Sequence, residues 1–583
     1  PRSMKAHRCP RALAILPTLL ALVGGAWSDG WASSAGAVAS AAPAATAAGM
    51  EVLASGGNAT DAAVATALAL AVVHPVAGNL GGGGFAVVRM GETVAALDFR
   101  ETAPSAAWRE MYLDASGAPR PEASLVGGLA VGVPGSPGGY FELHRRFGRL
   151  AWEQVVAPAI RLAEGFTVTS RLASDLESEK ALLARFAASA RVWLPGGTPP
   201  RVGSTMRLPR LAAVLRAYAA EGPGAVTAGT RAEALVAAVR AHGGIMTVAD
   251  VASYRPVWRE PLRFRAFGWE LAGMPLPSSG GIIMAQTLGL LERVGWARQP
   301  AGSVQRLHLL AESWRRAFAD RFLLGDPAST RAATEHLLAS AWLDRRAAEI
   351  DPNHASPSTM VRPWTPGPEE APETTHLSVV DGEGNAVALT TTLNGSFGSG
   401  LLVPELEILL NNEMDDFATA PGRANQYGLV QGEANAVAPG RRMLSSMTPT
   451  LAWRGVEIVA IGSPGGSRIP TATTQVLLAV LVDGAPLEVA VAQPRIHHQW
   501  MPDEVLCEDG EASLQAALIR LGHRVQVRPR LGEVHAVRRR GNGSLEAGAD
   551  PRGPGTAAVL PARLLESAGR PNPIPSRRSE RLE

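Results

Sequence analysis

The chain has 583 residues, of which 46% are hydrophobic and 19% are charged, so it holds ample material for a buried core. Its 62 glycines and 44 prolines stay below the share of ~25–30% that marks low-complexity or collagen-like chains. A net charge of +2 gives no reason to expect nucleic acid as a partner, and two cysteines exclude a disulfide framework. At ~150 residues per domain, the length alone suggests about four domains.

The first residues have the features of an export signal. A basic stretch with Lys5, Arg8 and Arg11 precedes an uncharged, mostly apolar segment at 12–28, and small residues follow. This order predicts a secretory signal peptide within residues 1–35, cleaved at about 28–35. We therefore expect an exported protein, periplasmic or extracellular. An uncleaved membrane anchor is the alternative.

Small residues at helical spacing dominate positions 37–73. Gly56-Gly57-Asn58 predicts the end of one helix, and Asp61 begins a second, buried one. Gly81–Gly84 leads into a strand rather than a helix, which indicates close backbone packing more than a phosphate site. Further helices are predicted at 152–164, 208–220, 231–242 and 304–324, within a mainly helical region at 140–350.

A change in pattern near residue 374 marks the best internal boundary. The linker PWTPGPEEAP at 363–372 is followed by TTHLSVVD, a Gly-Glu-Gly-Asn turn and the returning strand AVALTTTLN, which together predict a β-hairpin. If the chain were cut before Thr374, this threonine would carry a hydroxyl and a free α-amine, whose pKa of ~7.7–8.0 suits a general base. The hairpin alone is better explained as an ordinary Thr-rich edge hairpin.

The residues that decide between these readings are a series of motifs running in order from about 36 to 560. The series resembles the γ-glutamyltranspeptidases, also called glutathione hydrolases. Before residue 374 the matching segments are GGNATDAAVA (56–65), GGGGF (81–85), DFRETAP (98–104), VPGS (133–136) and PSSGG (277–281). After it they are TTHLSVVD (374–381), TLN (392–394), LNNEMDDF (410–417), LSSMTPT (444–450) and GSPGGSRI (462–469).

The resemblance implies a fold of the α/β (α+β) class: a four-layer αββα sandwich of the N-terminal-nucleophile hydrolase type with a mainly helical periphery. It also implies a precursor that cleaves itself between Glu373 and Thr374. The large subunit would span 36–373 and the small subunit 374–566, the two forming a heterodimer. Residues 567–583 would be a loose tail.

The resemblance further implies the roles of individual residues. Thr374 would take the γ-glutamyl group of glutathione, or of another γ-glutamyl compound, as an acyl-enzyme and pass it to water, an amino acid or a peptide. Thr392 would hydrogen-bond this nucleophile, and the N–H groups of Gly465 and Gly466 would stabilise the oxyanion. The substrate carboxylate would meet Arg100, Ser445 and Ser446, and its ammonium would meet Asn394, Glu413 and Asp416.

A segment at 421–442 resembles the lid of the lidded bacterial members, with Tyr427 as its gate residue. The related cephalosporin acylases lack this lid, so its presence favours γ-glutamyl chemistry over a cephalosporin or glutaryl-type amide acylase. The other alternative is an exported protein that binds γ-glutamyl compounds but remains unprocessed. No cofactor is expected, and adjacent His497 and His498 are not expected to bind a metal.

Overall fold

The computed structural model describes residues 34–361, 374–422, 429–508 and 512–561. The strands in these ranges are β1 Ser34–Ser40, β2 Gly83–Met90, β3 Thr93–Asp98, β4 Phe166–Thr167, β5 Thr205–Met206, β6 Val257–Arg259, β7 Leu262–Ala266, β8 Trp269–Gly273, β9 Thr375–Asp381, β10 Ala386–Thr392, β11 Leu402–Val403, β12 Ile408–Leu409, β13 Thr450–Arg454, β14 Glu457–Gly462, β15 Ile496–His497, β16 Val505–Glu508, β17 Val525–Arg528, β18 His535–Arg539, β19 Leu545–Ala549 and β20 Thr556–Pro561.

The α-helices in the same ranges vary from single turns to five turns. They are α1 Pro43–Ala54, α2 Ala59–Val73, α3 Pro121–Leu125, α4 Ser136–Phe147, α5 Trp152–Glu164, α6 Ser170–Ser178, α7 Lys180–Ala184, α8 Ala187–Trp193, α9 Pro209–Glu221, α10 Gly224–Thr227, α11 Gly229–Ala241, α12 Val248–Ser253, α13 Gly280–Arg293, α14 Val304–Arg321, α15 Pro327–Leu337, α16 Ser340–Ala348, α17 Ile469–Leu481, α18 Leu487–Ala492 and α19 Ala512–Arg520.

Two large antiparallel sheets form the centre of the molecule. The first has seven strands in the order β20-β1-β9-β10-β2-β3-β6, and the second has six in the order β19-β18-β14-β13-β8-β7. Strand β9 thus lies between β1 and β10 at the middle of the first sheet. Because this sheet combines strands that precede residue 374 with strands that follow it, neither part of the chain can complete it alone.

The alternation of side chains along the strands explains why the two sheets stack. In β10, Ala386 and Ala388 face the second sheet, whereas Val387 and Leu389 pack on the opposite side. Every residue of β9 and β10 is buried, as expected for strands covered on both faces. Phe85, Ala388, Ala460 and Val537 are among the residues that fill the space between the sheets.

Helices cover the outer face of each sheet and complete four layers. Helices α1, α2 and α5 share one apolar core with the outer face of the first sheet. Helices α13, α14 and α17 share another with the outer face of the second sheet. Asn58 caps α2 through its side-chain oxygen, which accepts hydrogen bonds from the N–H groups of Thr60 and Asp61. The predicted αββα sandwich is therefore confirmed.

The structure also tests the individual helices and strands that were predicted from the spacing of apolar residues. Helix α5 has the predicted bounds, α9 and α11 begin and end within two residues of theirs, and α14 ends at Arg321, earlier than predicted. The hairpin after residue 374 is confirmed as β9 and β10. The mainly helical region additionally contributes β7 and β8 to the second sheet, which helical spacing did not indicate.

The two ends of the chain fall largely outside the described residues. The predicted signal peptide does so except for Ser34 and Ala35, which belong to β1, and the predicted tail at 567–583 does so entirely. Cleavage near residue 28, where the predicted cleavage range of 28–35 begins, would leave β1 whole. Across the described ranges, we find no helix with the length and apolar character needed to cross a membrane.

The contact between the sheets yields a first prediction. Phe85 is fully buried there, so Phe85→Ala should lower the free energy of unfolding by about 3–5 kcal/mol through lost apolar contact and a residual cavity. Val456→Ala is the matched control, because this valine is 61% exposed and its loss should change stability by less than ~0.5 kcal/mol. Denaturant unfolding of the two variants measures the difference, and equal midpoints would contradict the assigned packing.

Candidate active site

Thr374 immediately precedes β9 and is 6% exposed. The hairpin register places Thr375 opposite Thr391, so the residues one step further out, Thr374 and Thr392, also face each other. Their hydroxyl oxygens lie 3.5 Å apart, and the Thr392 hydroxyl accepts a hydrogen bond of 2.8 Å from the N–H of Asn394. The sequence thus determines, through strand pairing, that two hydroxyl groups meet at this point.

The Gly-rich segment at 81–84, which leads into β2, lets the backbone pack closely against the β9–β10 hairpin. A Cβ atom on Gly82 would lie 2.1 Å from the carbonyl oxygen of Thr392, and one on Gly84 would lie 2.3 Å from that of Thr390. Any side chain at these positions would push the β9–β10 hairpin away. The expectation that these glycines serve close backbone packing is confirmed.

A buried charge cluster lies beside the threonines. Arg100, two residues after β3, has no solvent exposure. One terminal nitrogen of its guanidinium donates to Glu413 and the other donates to Asp416. Its Nε atom lies 3.4 Å from the carbonyl oxygen of Met443. A buried guanidinium requires such partners, so the position of the turn at Glu413–Asp416 is coupled to that of Arg100.

The cluster contains more carboxyl groups than its arginine can neutralise. Burial raises the pKa of Glu101 to about 7 against the opposing effect of Arg100. Burial likewise raises the pKa of Glu413 and that of Asp416, again opposed by Arg100. Burial alone would lower the pKa of Arg100, but the three carboxyl groups raise it. Burial therefore favours the protonated form of Glu101 toward neutral pH, while Arg100 opposes this effect at all three carboxyl groups.

Arg321, at the end of α14, is a residue of this site that sequence reasoning missed. Its Nε atom donates a 2.9 Å hydrogen bond to the hydroxyl of Ser279, which donates at 2.7 Å to the carbonyl oxygen of Ser445. Burial lowers the pKa of Arg321 to about 10, while Asp416 raises it and Arg100 lowers it further. Helix α14 is buried over most of its length, so each of its arginines needs partners inside the protein.

The predicted substrate residues gather around one small cavity of about 20 Å³. Ser445 accepts a hydrogen bond of 3.1 Å from the N–H of Met447, whereas the hydroxyl of Ser446 finds no hydrogen-bond partner among the described residues. The side chain of Asn394 donates at 3.0 Å to the carbonyl oxygen of Asn412. The residues that line the cavity are Arg100, Thr374, Thr392, Asn394, Glu413, Asp416, Leu429, Ser445, Ser446, Met447, Gly466 and Ile469.

Gly465 and Gly466 form a sharp turn that begins three residues after the end of β14. Their φ angles of +132° and +54° lie in the region that favours glycine. Within the described chain, neither N–H group donates a backbone hydrogen bond. Gly466 lines the cavity, whereas Gly465 does not. Such a turn can present N–H donors to a developing negative charge.

Two predicted site residues, Glu373 and Tyr427, lie outside the described residues. The described part of the predicted lid contacts the site through Leu429, which lines the cavity. Two lid side chains, Gln431 and Asn435, donate hydrogen bonds of 3.0 and 2.7 Å to the carbonyl oxygen of Asp416. The lid segment is thereby linked to a residue of the charge cluster.

Other reactive groups stand apart from this site. Burial raises the pKa of the Cys507 thiol to about 11, which leaves it protonated and unreactive. Over the ranges described, no group of three or more His, Cys, Asp or Glu side chains is arranged to hold a metal ion.

An αββα sandwich with a threonine at the head of a central strand defines the class: this is the fold of the N-terminal-nucleophile hydrolases. Among solved structures, the chain is similar to the cephalosporin acylase from Bacillus halodurans, with a TM-score of 0.80 and 27% identity. That match covers 93% of this chain and 99% of the acylase.

The family follows from residues 45–560, which match the family model described as Gamma-glutamyltranspeptidase. The chain belongs to the γ-glutamyltranspeptidase family and is an enzyme of the acyl-transferring and hydrolysing kind. It is 41% identical over 524 residues to the glutathione hydrolase proenzyme of Escherichia coli (strain K12), covering 89% of this chain and 90% of that protein. It is 36% identical over 544 residues to the acylase ACY 1 proenzyme of Pseudomonas sp. (strain SE83), covering 91% and 94%.

The raised pKa of Glu101 yields a second prediction. Its folded value of about 7 exceeds the ordinary 4.5, so the fold favours the protonated carboxyl group. The resulting stabilisation is fully present below the ordinary pKa and is lost as the pH rises through about 7. The melting temperature of the wild type relative to that of Glu101→Gln should therefore fall between about pH 5.5 and about pH 8.

The control for this measurement is Glu92→Gln, which changes an exposed carboxyl group on the turn between β2 and β3. Its melting temperature should follow that of the wild type at both pH values. A constant difference between wild type and Glu101→Gln across the range would show that Glu101 does not titrate there.

Proposed function

We propose that this protein is an autoprocessing γ-glutamyltransferase and glutathione hydrolase in which Thr374 is the nucleophile. The observation that carries the proposal is the shared cavity. The Thr374 hydroxyl and the buried cluster of Arg100, Glu413 and Asp416 line the same space. A reactive hydroxyl thus stands beside groups suited to the two charges of an α-amino acid.

Autoprocessing would begin with attack of the Thr374 hydroxyl on the carbonyl carbon of Glu373. The C–N bond breaks as the ester forms, the proton of the hydroxyl passes to the released amine, and water then hydrolyses the ester. The products are a large subunit at 36–373 and a small subunit from 374 to 566, followed by the tail at 567–583. Because β9 pairs with β1, and β10 pairs with β2, we expect the two subunits to remain together as a heterodimer.

Acyl transfer would then use the free α-amine of Thr374 as the base for its own hydroxyl. The hydroxyl attacks the γ-carbonyl carbon of glutathione, and the oxyanion accepts hydrogen bonds from the N–H groups of Gly465 and Gly466. Thr392 orients the nucleophile from the neighbouring strand. Collapse of the intermediate releases the remaining dipeptide as an amine, and water or an amino acid or peptide then takes the γ-glutamyl group.

Substrate binding would exchange the ion pairs of the cluster. The α-carboxylate accepts hydrogen bonds from the guanidinium of Arg100, and the hydroxyls of Ser445 and Ser446 assist. The α-ammonium donates to the carboxylates of Glu413 and Asp416. The side chain of Asn394 stands close enough to assist. The unpartnered oxygen atoms at Glu413 and Ser446 fit this role, because buried polar atoms normally have a partner.

A glutaryl or cephalosporin acylase is the second candidate, favoured by the similarity to two acylases. A glutaryl side chain lacks the α-ammonium, so it would leave the carboxylates of Glu413 and Asp416 without a cation in exchange for Arg100. The lid segment also favours γ-glutamyl substrates over glutaryl ones, and we propose Tyr427 as its gate residue. We further propose that the protein is exported after its signal peptide is cleaved at about residues 28–35.

The proposed processing yields a third prediction. Purified wild-type protein should separate on a denaturing gel into two bands that match the large and small subunits. Thr374→Ala should remain a single precursor band and should release no product from a γ-glutamyl anilide. Thr375→Ala, which changes the next hydroxyl along β9, is the control and should still be processed. A single precursor band for the wild type would instead support the unprocessed binding protein.

The choice between donor classes yields a fourth prediction. Wild-type kcat/KM should be higher for a γ-glutamyl anilide than for a glutaryl anilide by a factor of roughly 30 or more, since unpairing a buried charge costs ~2–5 kcal/mol. Asp416→Asn should narrow this ratio, because it removes a carboxylate that would bind the ammonium of the γ-glutamyl substrate, a group that the glutaryl substrate lacks. A wild-type preference for the glutaryl substrate would favour the acylase.

A further inference from the structure

We propose that Arg321 is a positioning residue for the γ-glutamyl donor: it fixes Ser445 through Ser279 and supplies the second positive charge of the buried site. Arg321 ends α14 and is buried, but it does not line the active-site cavity. It therefore acts through its neighbours rather than by touching the substrate. The inference rests on the proposed function, because it presumes a γ-glutamyl group bound at Arg100.

The segment at 277–281, which carries the PSSGG motif, packs closely against the segment that bears Ser445. The hydroxyl and the N–H of Ser279 both donate to the carbonyl oxygen of Ser445, at 2.7 and 2.8 Å. A Cβ atom on Gly280 would lie 2.8 Å from the carbonyl oxygen of Ser446, so this close approach requires glycine. The backbone of both proposed substrate-binding serines is therefore held by the segment at 277–281.

Arg321 determines how the hydroxyl of Ser279 forms its hydrogen bonds. An arginine side chain can only donate, so this hydroxyl accepts the 2.9 Å hydrogen bond from Nε of Arg321. A hydroxyl has a single proton, which is thereby left for the carbonyl oxygen of Ser445. A charged donor also forms a stronger hydrogen bond than a neutral one. Arg321 thus orients the hydroxyl that holds Ser445 in place.

The end of α14 also reaches the lid segment next to Asp416. A Cβ atom on Gly325, four residues after Arg321, would lie 2.0 Å from the carbonyl oxygen of Ala434. The side chain of the next residue, Asn435, donates a 2.7 Å hydrogen bond to the carbonyl oxygen of Asp416. Backbone packing therefore sets the position of Arg321 relative to Asp416 as well.

The charge of Arg321 complements the carboxylates of the site. One terminal nitrogen of its guanidinium finds no hydrogen-bond partner among the described residues. Burial lowers the pKa of Arg321, and Asp416 opposes this effect. Burial raises the pKa of Asp416, and Arg100 and Arg321 both oppose it. With Glu101 protonated, the carboxylates of Glu413 and Asp416 are therefore matched by two guanidinium groups.

This balance of charge explains why the substrate ammonium would need Arg321. In the proposed complex the substrate carboxylate occupies Arg100, and Asp416 then depends on the ammonium and on Arg321 to stay ionised. Without Arg321 the buried site would carry an excess negative charge, which favours uptake of a proton by Asp416 or Glu413. A protonated carboxyl group attracts an ammonium only weakly. Loss of Arg321 should therefore weaken donor binding more than the chemical step.

The test uses Arg321→Gln, which keeps a neutral donor for Ser279 but removes the charge. Turnover of a γ-glutamyl anilide gives kcat and KM, and competitive inhibition by L-glutamate, the product of hydrolysis, gives a Ki that measures binding alone. We expect KM and Ki to rise about 10-fold, and kcat to fall less than about threefold. Arg321→Lys keeps a charged donor and should return KM and Ki to within about threefold of the wild-type values.

Ser279→Ala tests the hydrogen-bonded link separately. This variant leaves the charge of Arg321 in place and removes one of the two hydrogen bonds from residue 279 to the carbonyl oxygen of Ser445. We expect KM and Ki to rise about threefold. Wild-type values of both constants in Ser279→Ala would overturn the inference.

The matched control is Arg306→Gln, in the same helix about 22 Å from Arg321. Arg306 is also buried, and it donates a 2.7 Å hydrogen bond to Asp483, outside the site. Arg306→Gln should therefore keep the wild-type KM and Ki. Wild-type constants in Arg321→Gln, or equal rises in Arg321→Gln and Arg306→Gln, would contradict a specific role of Arg321.

Failure of this inference is distinguishable from failure of the proposed function. A wild type that remains one band and releases no product from the anilide would overturn the proposed function itself. Normal wild-type turnover with unchanged constants in Arg321→Gln would overturn only the role of Arg321. If Arg321→Gln failed to fold or to be processed, Ser279→Ala would decide through the same two constants.

Discussion

The burial of the Arg100 guanidinium is the constraint on which the rest of the site depends. An isolated charge in this position would be strongly disfavoured, so Glu413 and Asp416 must stand against it. Asp416 is in turn tied to the lid through the side chain of Asn435. One buried cation therefore fixes the end of β3, the turn at Glu413–Asp416 and the start of the lid relative to one another.

The same ion pairs join the two parts of the chain that the proposed cleavage would separate. Arg100 precedes Thr374, whereas Glu413 and Asp416 follow it. Strand pairing also joins these two parts, because β1 lies between β9 and β20, and β10 pairs with β2. The chain therefore does not form the four consecutive domains suggested by its length; its central sandwich is a composite of both parts. A cut before Thr374 would free an amine without removing any strand from the sheet.

Local patterns predicted the elements, but not the environment of the charged residues. Turn chemistry and alternation were enough for the β9–β10 hairpin, and three- and four-residue spacing was enough for α5. Strand β7 was missed although Leu262–Ala266 alternates, because five residues inside a helical region are a weak signal. Nothing local distinguishes Arg100 from a surface arginine, and its proposed role came from family resemblance. Arg321 was missed because its partners at Ser279 and Asp416 are remote in sequence.

The buried cluster also provides a physical reason for a zwitterionic substrate. An α-amino acid brings one carboxylate and one ammonium, so the net charge of the site does not change when it binds. In the proposed complex, each group replaces a partner already present: the carboxylate replaces those of Glu413 and Asp416 at Arg100, and the ammonium replaces Arg100 at those carboxylates. Most of the desolvation of these protein charges has already occurred on folding. A ligand with only one of the two charges would leave a buried ion unpaired, which disfavours it whatever its shape.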